Sequence, residues 1–126
     1  MLDDESNSIG MLLAHIASVE EWYQERTLGL EFLGEALELR KLGGHLGDAA
    51  RRQIRGHRLE YYLETLDVVR NRTLTELAER DDAWLYEESD WWGGQKGNNY
   101  FKWFHVLEDE LNHSGQMRLI RKRLPG

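Results

Sequence analysis

Residues 104–126 read FHVLEDELNHSGQMRLIRKRLPG, and this stretch combines a strong helix signal with a chemical one. The only proline of the chain, Pro125, stands at its very end. Because nothing inside the stretch interrupts helical hydrogen bonding, we expect a long helix from about residue 99 to 123. Arginine and lysine side chains crowd its last turn, where positive charge suits the helix dipole.

Three potential metal ligands, His105, Asp109 and His113, follow one another at four-residue steps in this helix and so lie on one side of it. Asp109 and His113 are one turn apart, a rise of roughly 6 Å, which allows both to bind one ion. His105 is roughly 12 Å from His113 along the axis and too far to share that ion. We expect His105 to orient Asp109 from outside the ligand set. A solvated polar stripe is the alternative interpretation.

The composition favours an all-α protein made of one domain, residues 1–126. Leucine, glutamate, arginine and alanine are abundant, whereas valine and isoleucine are sparse. Helical spacing of the apolar residues predicts three long helices, near residues 8–26, 48–80 and 99–123. A short helix is expected at 30–42.

Residues 81–99 are expected to form a long connection, and long connections are often functional. Its centre holds Trp91 and Trp92, followed by two glycines. The tryptophans either form an aromatic lid over a pocket or simply anchor the loop.

The charge and residue content argue against several classes of function. The formal net charge is −7, which disfavours a broad nucleic-acid-binding surface. The absence of cysteine excludes disulfides and thiolate metal sites. No apolar run approaches the ~20 residues of a membrane span, and no signal peptide opens the sequence. We therefore expect a cytoplasmic protein that binds neither membranes nor nucleic acid.

His15 lies in the middle of an apolar helix face, between Leu12 and Ile16. A lone histidine in such a place is more often a hydrogen-bonded core residue than a ligand. Histidine and carboxylate ligands on facing helices are, however, how helical bundles build metal sites. Imidazole and carboxylate together suit zinc or nickel, with iron or manganese as further candidates. Two ligands from one helix and one from another would leave coordination positions open for water or substrate.

Arg70 interrupts an otherwise apolar stripe, since Leu66 and Leu74 stand one turn to either side. One interpretation is that the stem of Arg70 packs while its guanidinium reaches water. The other is that it contacts an anionic cofactor or substrate in a pocket, or pairs with a buried carboxylate.

Three segments together resemble DinB-like proteins, a superfamily of metal-binding helical bundles. LLAHIASVEEWY, residues 12–23, resembles their second helix, and VVRNRTLTEL, residues 68–77, resembles their third. Residues 104–126 resemble their last helix, in which a histidine or carboxylate precedes a histidine that is followed by a small residue, glycine and glutamine. The resemblance implies a divalent metal held by His15, Asp109 and His113.

The resemblance also implies a fold and a chemistry. DinB-like proteins are four-helix bundles of the up-down-down-up type, and members include thiol-dependent transferases and isomerases that use mycothiol or bacillithiol. We therefore expect a metal-dependent thiol S-transferase, or an isomerase or hydrolase, acting on a small-molecule thiol and an electrophilic substrate. The alternative is a non-catalytic helical dimerisation or binding module with a vestigial metal site.

Two departures from the superfamily pattern are visible. Asp109 stands where members commonly have histidine or glutamate, and its side chain is one methylene shorter than that of glutamate. We expect the first long helix of the bundle to be lacking or replaced, because the sequence starts almost at the helix of His15. Either the chain is a fragment, or residues 30–42 or a second chain cover the exposed face. A bundle without one helix would expose apolar surface, so we expect a homodimer.

Overall fold

The computed structural model of the chain describes residues 9–31 and 58–124, without the side chain of Trp92. Its helices are α1 (Ile9–Leu28), α2 (Leu59–Ala78), α3 (Asp82–Leu85) and α4 (Asn99–Arg123). Two short strands, β1 (Glu88–Asp90) and β2 (Lys96–Asn98), form one antiparallel hairpin with a 3₁₀ turn, Trp92–Gly94, between them. The prediction of an all-α helical bundle is confirmed.

Helix α1 is the central element, because it packs against both α2 and α4. Buried side chains consequently occur on nearly every side of it: Met11, Leu12, Leu13, Ile16, Ala17, Ser18, Glu20, Tyr23, Gln24 and Leu28. Burial removes water from the polar side chains among them, and Glu20 and Gln24 form hydrogen bonds with residues of α2 instead. These hydrogen bonds belong to one of two polar clusters between the helices, and the other cluster contains His15, Asp109 and His113.

Helices α1 and α4 run antiparallel. The Nε1 of Trp103, near the start of α4, donates a 2.9 Å hydrogen bond to the Oγ1 of Thr27, near the end of α1. At the other end of the pair, the rings of His15 and His113 are 4.8 Å apart. Helix α4 begins where the sequence predicted, because the side chain of Asn98 caps it by accepting a 2.7 Å hydrogen bond from the Phe101 amide.

The connection expected at residues 81–99 contains secondary structure that the sequence did not predict, namely α3 and the hairpin. Asp81 caps α3 by accepting a 2.9 Å hydrogen bond from the Trp84 amide. The turn between the strands uses Gly93 and Gly94, whose φ angles are 61° and 77°. Local capping and glycine turns thus give structure to a segment that shows no helical or strand-like periodicity.

The hairpin is held against the bundle by two side chains. The Nζ of Lys102, which is 1% exposed, donates hydrogen bonds to the Oγ and carbonyl oxygen of Ser89 and to the carbonyl oxygen of Asp90. The Nε1 of Trp91 donates a 3.0 Å hydrogen bond to the Tyr23 hydroxyl. For Trp91 the contacts favour the anchoring interpretation over that of a lid.

Two predictions fall on parts of the chain that lie outside the described residues. These are the first ten residues of the expected 48–80 helix, together with all but the first two residues of the expected 30–42 helix. Within residues 9–31 and 58–124, no helix combines the length and the apolar content that a membrane span requires.

Candidate metal centre

The structure brings His15, Asp109 and His113 together between α1 and α4. One ligand atom from each lies within 4.8 Å of the other two. The Nε2 of His113 is 3.2 Å from the Oδ1 of Asp109, and the Nε2 of His15 is 3.8 Å from the same oxygen. The four-residue spacing on α4 places Asp109 one turn before His113 on the same side of the helix, and the antiparallel packing of α1 brings His15 beside them.

These distances agree with the donor spacing that a metal ion requires. Tetrahedral zinc with bonds of ~2.0–2.2 Å separates its donor atoms by roughly 3.4 Å. The two separations that involve Asp109, 3.2 Å and 3.8 Å, lie on either side of this value, and the ligand nitrogens of the two histidines lie within 4.8 Å of each other. Small side-chain adjustments would therefore suffice to seat an ion.

The electrostatics also suit a cation. Burial by itself raises the pKa of Asp109, but the imidazoles of His15, His113 and His105 lower it, and the net shift is downward. The carboxylate therefore stays ionised at neutral pH. Its side chain is 17% exposed, so it carries its charge where water screens it poorly.

Two atoms of the cluster lack hydrogen-bond partners among residues 9–31 and 58–124. They are the Oδ2 of Asp109 and the Nδ1 of His113, and both are buried. The second ring nitrogen of a metal-ligating histidine usually donates to a carbonyl or carboxylate, and the described residues supply no such partner for the Nδ1 of His113. A buried polar atom without a partner is costly, and a bound cation would give the Asp109 carboxylate one. The donor set and this unpaired oxygen fit a divalent metal.

Comparison with known protein families matches residues 2–126 to the mycothiol S-transferase family. The chain belongs to this family. The mycothiol S-transferases are part of the DinB-like superfamily of thiol transferases, so the resemblance identified from the sequence is confirmed. Comparisons with curated proteins and with solved structures gave no significant match. Members of the family are metal-dependent, and this chain has a possible His-Asp-His site.

His105 lies beside the cluster without joining it. Its ring centroid is 6.1 Å from that of Tyr23 and 5.8 Å from that of Trp91. These rings hold His105 at the hairpin end of the α1–α4 interface, where it contributes to lowering the pKa of Asp109. Its expected role in orienting Asp109 stays a prediction.

Arg70 joins three helices. Its Nε donates to both carboxylate oxygens of Glu20 on α1, at 3.1 Å and 3.2 Å, and its Nη2 donates to Glu20 Oε1 at 2.9 Å. The same Nη2 donates a 2.6 Å hydrogen bond to the Oε2 of Glu110 on α4. The hydrogen bond to Glu20 raises the pKa of Arg70, and Glu110 raises it further, so the guanidinium is permanently charged.

A second hydrogen-bonded layer supports this ion pair. The Oγ1 of Thr73 donates a 2.6 Å hydrogen bond to Glu20 Oε2 and receives one of 2.7 Å from the Nε2 of Gln24. Gln24 also donates to the carbonyl oxygen of Val69 at 2.8 Å. Both oxygens of Glu20, whose side chain is 3% exposed, are therefore satisfied.

Sequence reasoning identified Arg70 but missed its partners Glu20, Thr73 and Glu110. A signal for Glu20 was available, because it stands at helical spacing from Leu13 and Ala17 on the face of α1 that packs inward. A charged residue on such a face needs a partner of opposite charge. No comparable signal marks Glu110, which is one of several acidic residues on a largely polar helix.

Proposed function

We propose that this protein transfers an electrophilic group to the thiol of mycothiol, and that His15, Asp109 and His113 hold the divalent metal required. The observation that carries the proposal is the convergence of these three side chains in a chain of the mycothiol S-transferase family. Family membership favours S-transfer over isomerase or hydrolase chemistry.

In this reaction the thiol sulfur forms a bond to an electrophilic carbon of the second substrate. The bond from that carbon to its leaving group breaks, and the leaving group departs with the electron pair while the thiol proton passes to water. A bound divalent ion lowers the pKa of a thiol and so generates the nucleophile near neutral pH. Within the site, Asp109 supplies one negative charge, His15 and His113 supply neutral nitrogen donors, and partial burial limits competition by water.

The donor set supports zinc or nickel as the metal, and iron or manganese are further candidates. Two imidazoles and one carboxylate leave one position open in a four-coordinate site, as a catalytic metal requires. Arg70 as a contact for an anionic cofactor or substrate stays a prediction. Its side chain is 45% exposed, and two of its three nitrogens already donate to carboxylates.

The test is metal analysis of protein purified without chelator, combined with an assay of thiol consumption. We expect the parent protein to contain about one metal ion per chain. His113→Ala should lose most of the metal and the activity while its helicity is unchanged, because it removes a ligand and no large apolar group. Asn112→Ala, an exposed neighbour on the same turn, is the matched control. Equal metal content in the parent and His113→Ala would exclude the site.

Self-association is a separate part of the proposal and rests on a different observation. Helix α4 carries an exposed apolar stripe at helical spacing: Tyr100, Phe104, Leu107 and Leu111, which are 58%, 52%, 51% and 65% exposed. Four large apolar side chains on one face favour contact with another apolar surface. We propose that two copies of the chain pair through this stripe. Such pairing is also what the alternative function, a non-catalytic dimerisation module, would use.

Sedimentation tests the pairing, and the assay separates the two functions. The parent at micromolar concentration should sediment as about twice its chain mass of 14.8 kDa. Leu107→Glu should give monomers, whereas Leu74→Glu, at a 57% exposed leucine on α2, should not. A parent that is monomeric throughout that range contradicts the pairing. A dimer with neither metal nor thiol consumption would support the module. A cytoplasmic location, without membrane or nucleic-acid partners, stays a prediction.

A further inference from the structure

We propose that the ion pairs of Arg70 with Glu20 and Glu110 position the metal centre, by setting the rotation of α4 that turns Asp109 toward His15. This inference rests on the proposed metal site. It assigns a role to Glu110, which is not itself a proposed ligand but follows Asp109 directly in the chain. Glu110 is thus a positioning residue.

The geometry of α4 explains how one acidic residue controls its neighbour. Successive residues of an α-helix point ~100° apart. Asp109 faces α1 and the two histidines, whereas Glu110 faces α2 and receives the hydrogen bond from Arg70. The two carboxylates therefore hold α4 toward two different helices, and any rotation of α4 about its axis moves both.

The required accuracy is high. Side-chain atoms lie ~5–6 Å from a helix axis, so a rotation of roughly 20° would displace the Asp109 carboxylate by ~2 Å. Metal–ligand distances tolerate deviations of only ~0.2 Å. A contact that limits the rotation of α4 by a few degrees therefore matters more to a metal site than to a packed apolar core.

The burial of the two partners of Arg70 separates positioning from simple stabilisation. Glu20 is 3% exposed and is already satisfied by Arg70 and Thr73, so the α1–α2 pair does not need Glu110. Glu110 is 38% exposed, and an ion pair at such a site contributes little to folding. Its 2.6 Å hydrogen bond to Arg70 nevertheless connects α4 to the α1–α2 pair at the residue next to a proposed ligand.

Glu108 offers a matched control on the other side of Asp109. Glu108 and Glu110 have the same charge and the same separation in sequence from Asp109, but Glu108 is exposed on a different face of α4. Loss of either carboxylate removes one negative charge next to the site. Only loss of Glu110 removes the connection to Arg70.

The experiment measures Co²⁺ binding to metal-free protein by the visible absorption of the bound ion. Glu110→Ala should weaken the Co²⁺ affinity by at least ~10-fold, as is typical when a group that supports a metal ligand is removed. It should also alter the absorption band, whereas Glu108→Ala should change both much less. Glu110→Gln, whose amide oxygen can still accept from Arg70, should restore most of the affinity. The urea unfolding midpoints of the metal-free variants should match that of the parent.

Each other outcome is decisive. If Glu108→Ala weakens binding as much as Glu110→Ala, or if Glu110→Gln behaves like Glu110→Ala, the effect is one of charge and positioning is excluded. If the affinity and absorption of Glu110→Ala equal those of the parent, the proposal is also wrong. If the parent binds no Co²⁺, the proposed metal function itself fails, and this inference fails with it.

Discussion

Two carboxylates in the core of this protein, Glu20 and Asp109, meet very different surroundings. Both oxygens of Glu20 accept hydrogen bonds from Arg70 or Thr73. Asp109 has its Oδ1 near two histidine nitrogens, while its Oδ2 is buried without a partner among the described residues. The fold itself supplies hydrogen-bond donors to both oxygens of Glu20. For the Oδ2 of Asp109, a bound ligand such as a metal ion could supply the missing partner. The contrast separates a structural ion pair from a candidate ligand site within one bundle.

The strongest test of this contrast removes Arg70. Arg70→Ala would leave the buried Glu20 charge without its main partner, and we expect the free energy of unfolding to fall by ~3 kcal/mol. This is the lower end of the range for a broken buried pair, because the guanidinium is 45% exposed. Urea denaturation measures the loss, with Arg118→Ala, at an exposed position of α4, as the control. If both variants unfold at the same midpoint, Arg70 has no structural role.

Addition of a metal ion should stabilise the folded protein through Asp109, the second carboxylate of the comparison. A ligand that binds only the folded state at 100 times its Kd stabilises that state by ~2.7 kcal/mol. We expect Zn²⁺ at that excess to raise the free energy of unfolding of the parent by about this amount. His113→Ala should show no such increase in the free energy of unfolding. A chelator should return the parent to its stability without metal. If Zn²⁺ does not change the denaturation midpoint of the parent, the distinction between Glu20 as a structural residue and Asp109 as a metal ligand is wrong.

The most direct comparison makes the same substitution at both positions. Glu20→Gln should cost ~2 kcal/mol in metal-free protein, because hydrogen bonds to a charged group are lost or weakened. Asp109→Asn should cost less than ~1 kcal/mol under the same conditions, because only one of its oxygens has neighbouring donors. Thermal or urea unfolding of the two variants side by side gives the difference. Equal costs would show that Asp109 is as much a structural residue as Glu20.

Much of the molecule could be predicted before any coordinates were considered. Helix α4 was expected at 99–123 and is found there, because Asn98 caps its start and the only proline follows its end. The placement of Asp109 and His113 on one turn follows from local helix geometry alone. The resemblance of three segments to DinB-like proteins predicted the superfamily, which the match over residues 2–126 confirms.

Only the tertiary structure decided which helix faces which. Arg70 and Glu20 are 50 residues apart in sequence, and Arg70 and Glu110 are 40 apart. The inward position of Glu20 indicated that it needs a partner but not which one, and no local pattern distinguished Glu110 from the many other acidic residues of the chain. The hairpin of residues 88–98 likewise depends on Lys102 and Trp91 reaching other elements. Local sequence determines the helices because their hydrogen bonds join residues four apart, whereas ion pairs between helices depend on how the finished helices pack.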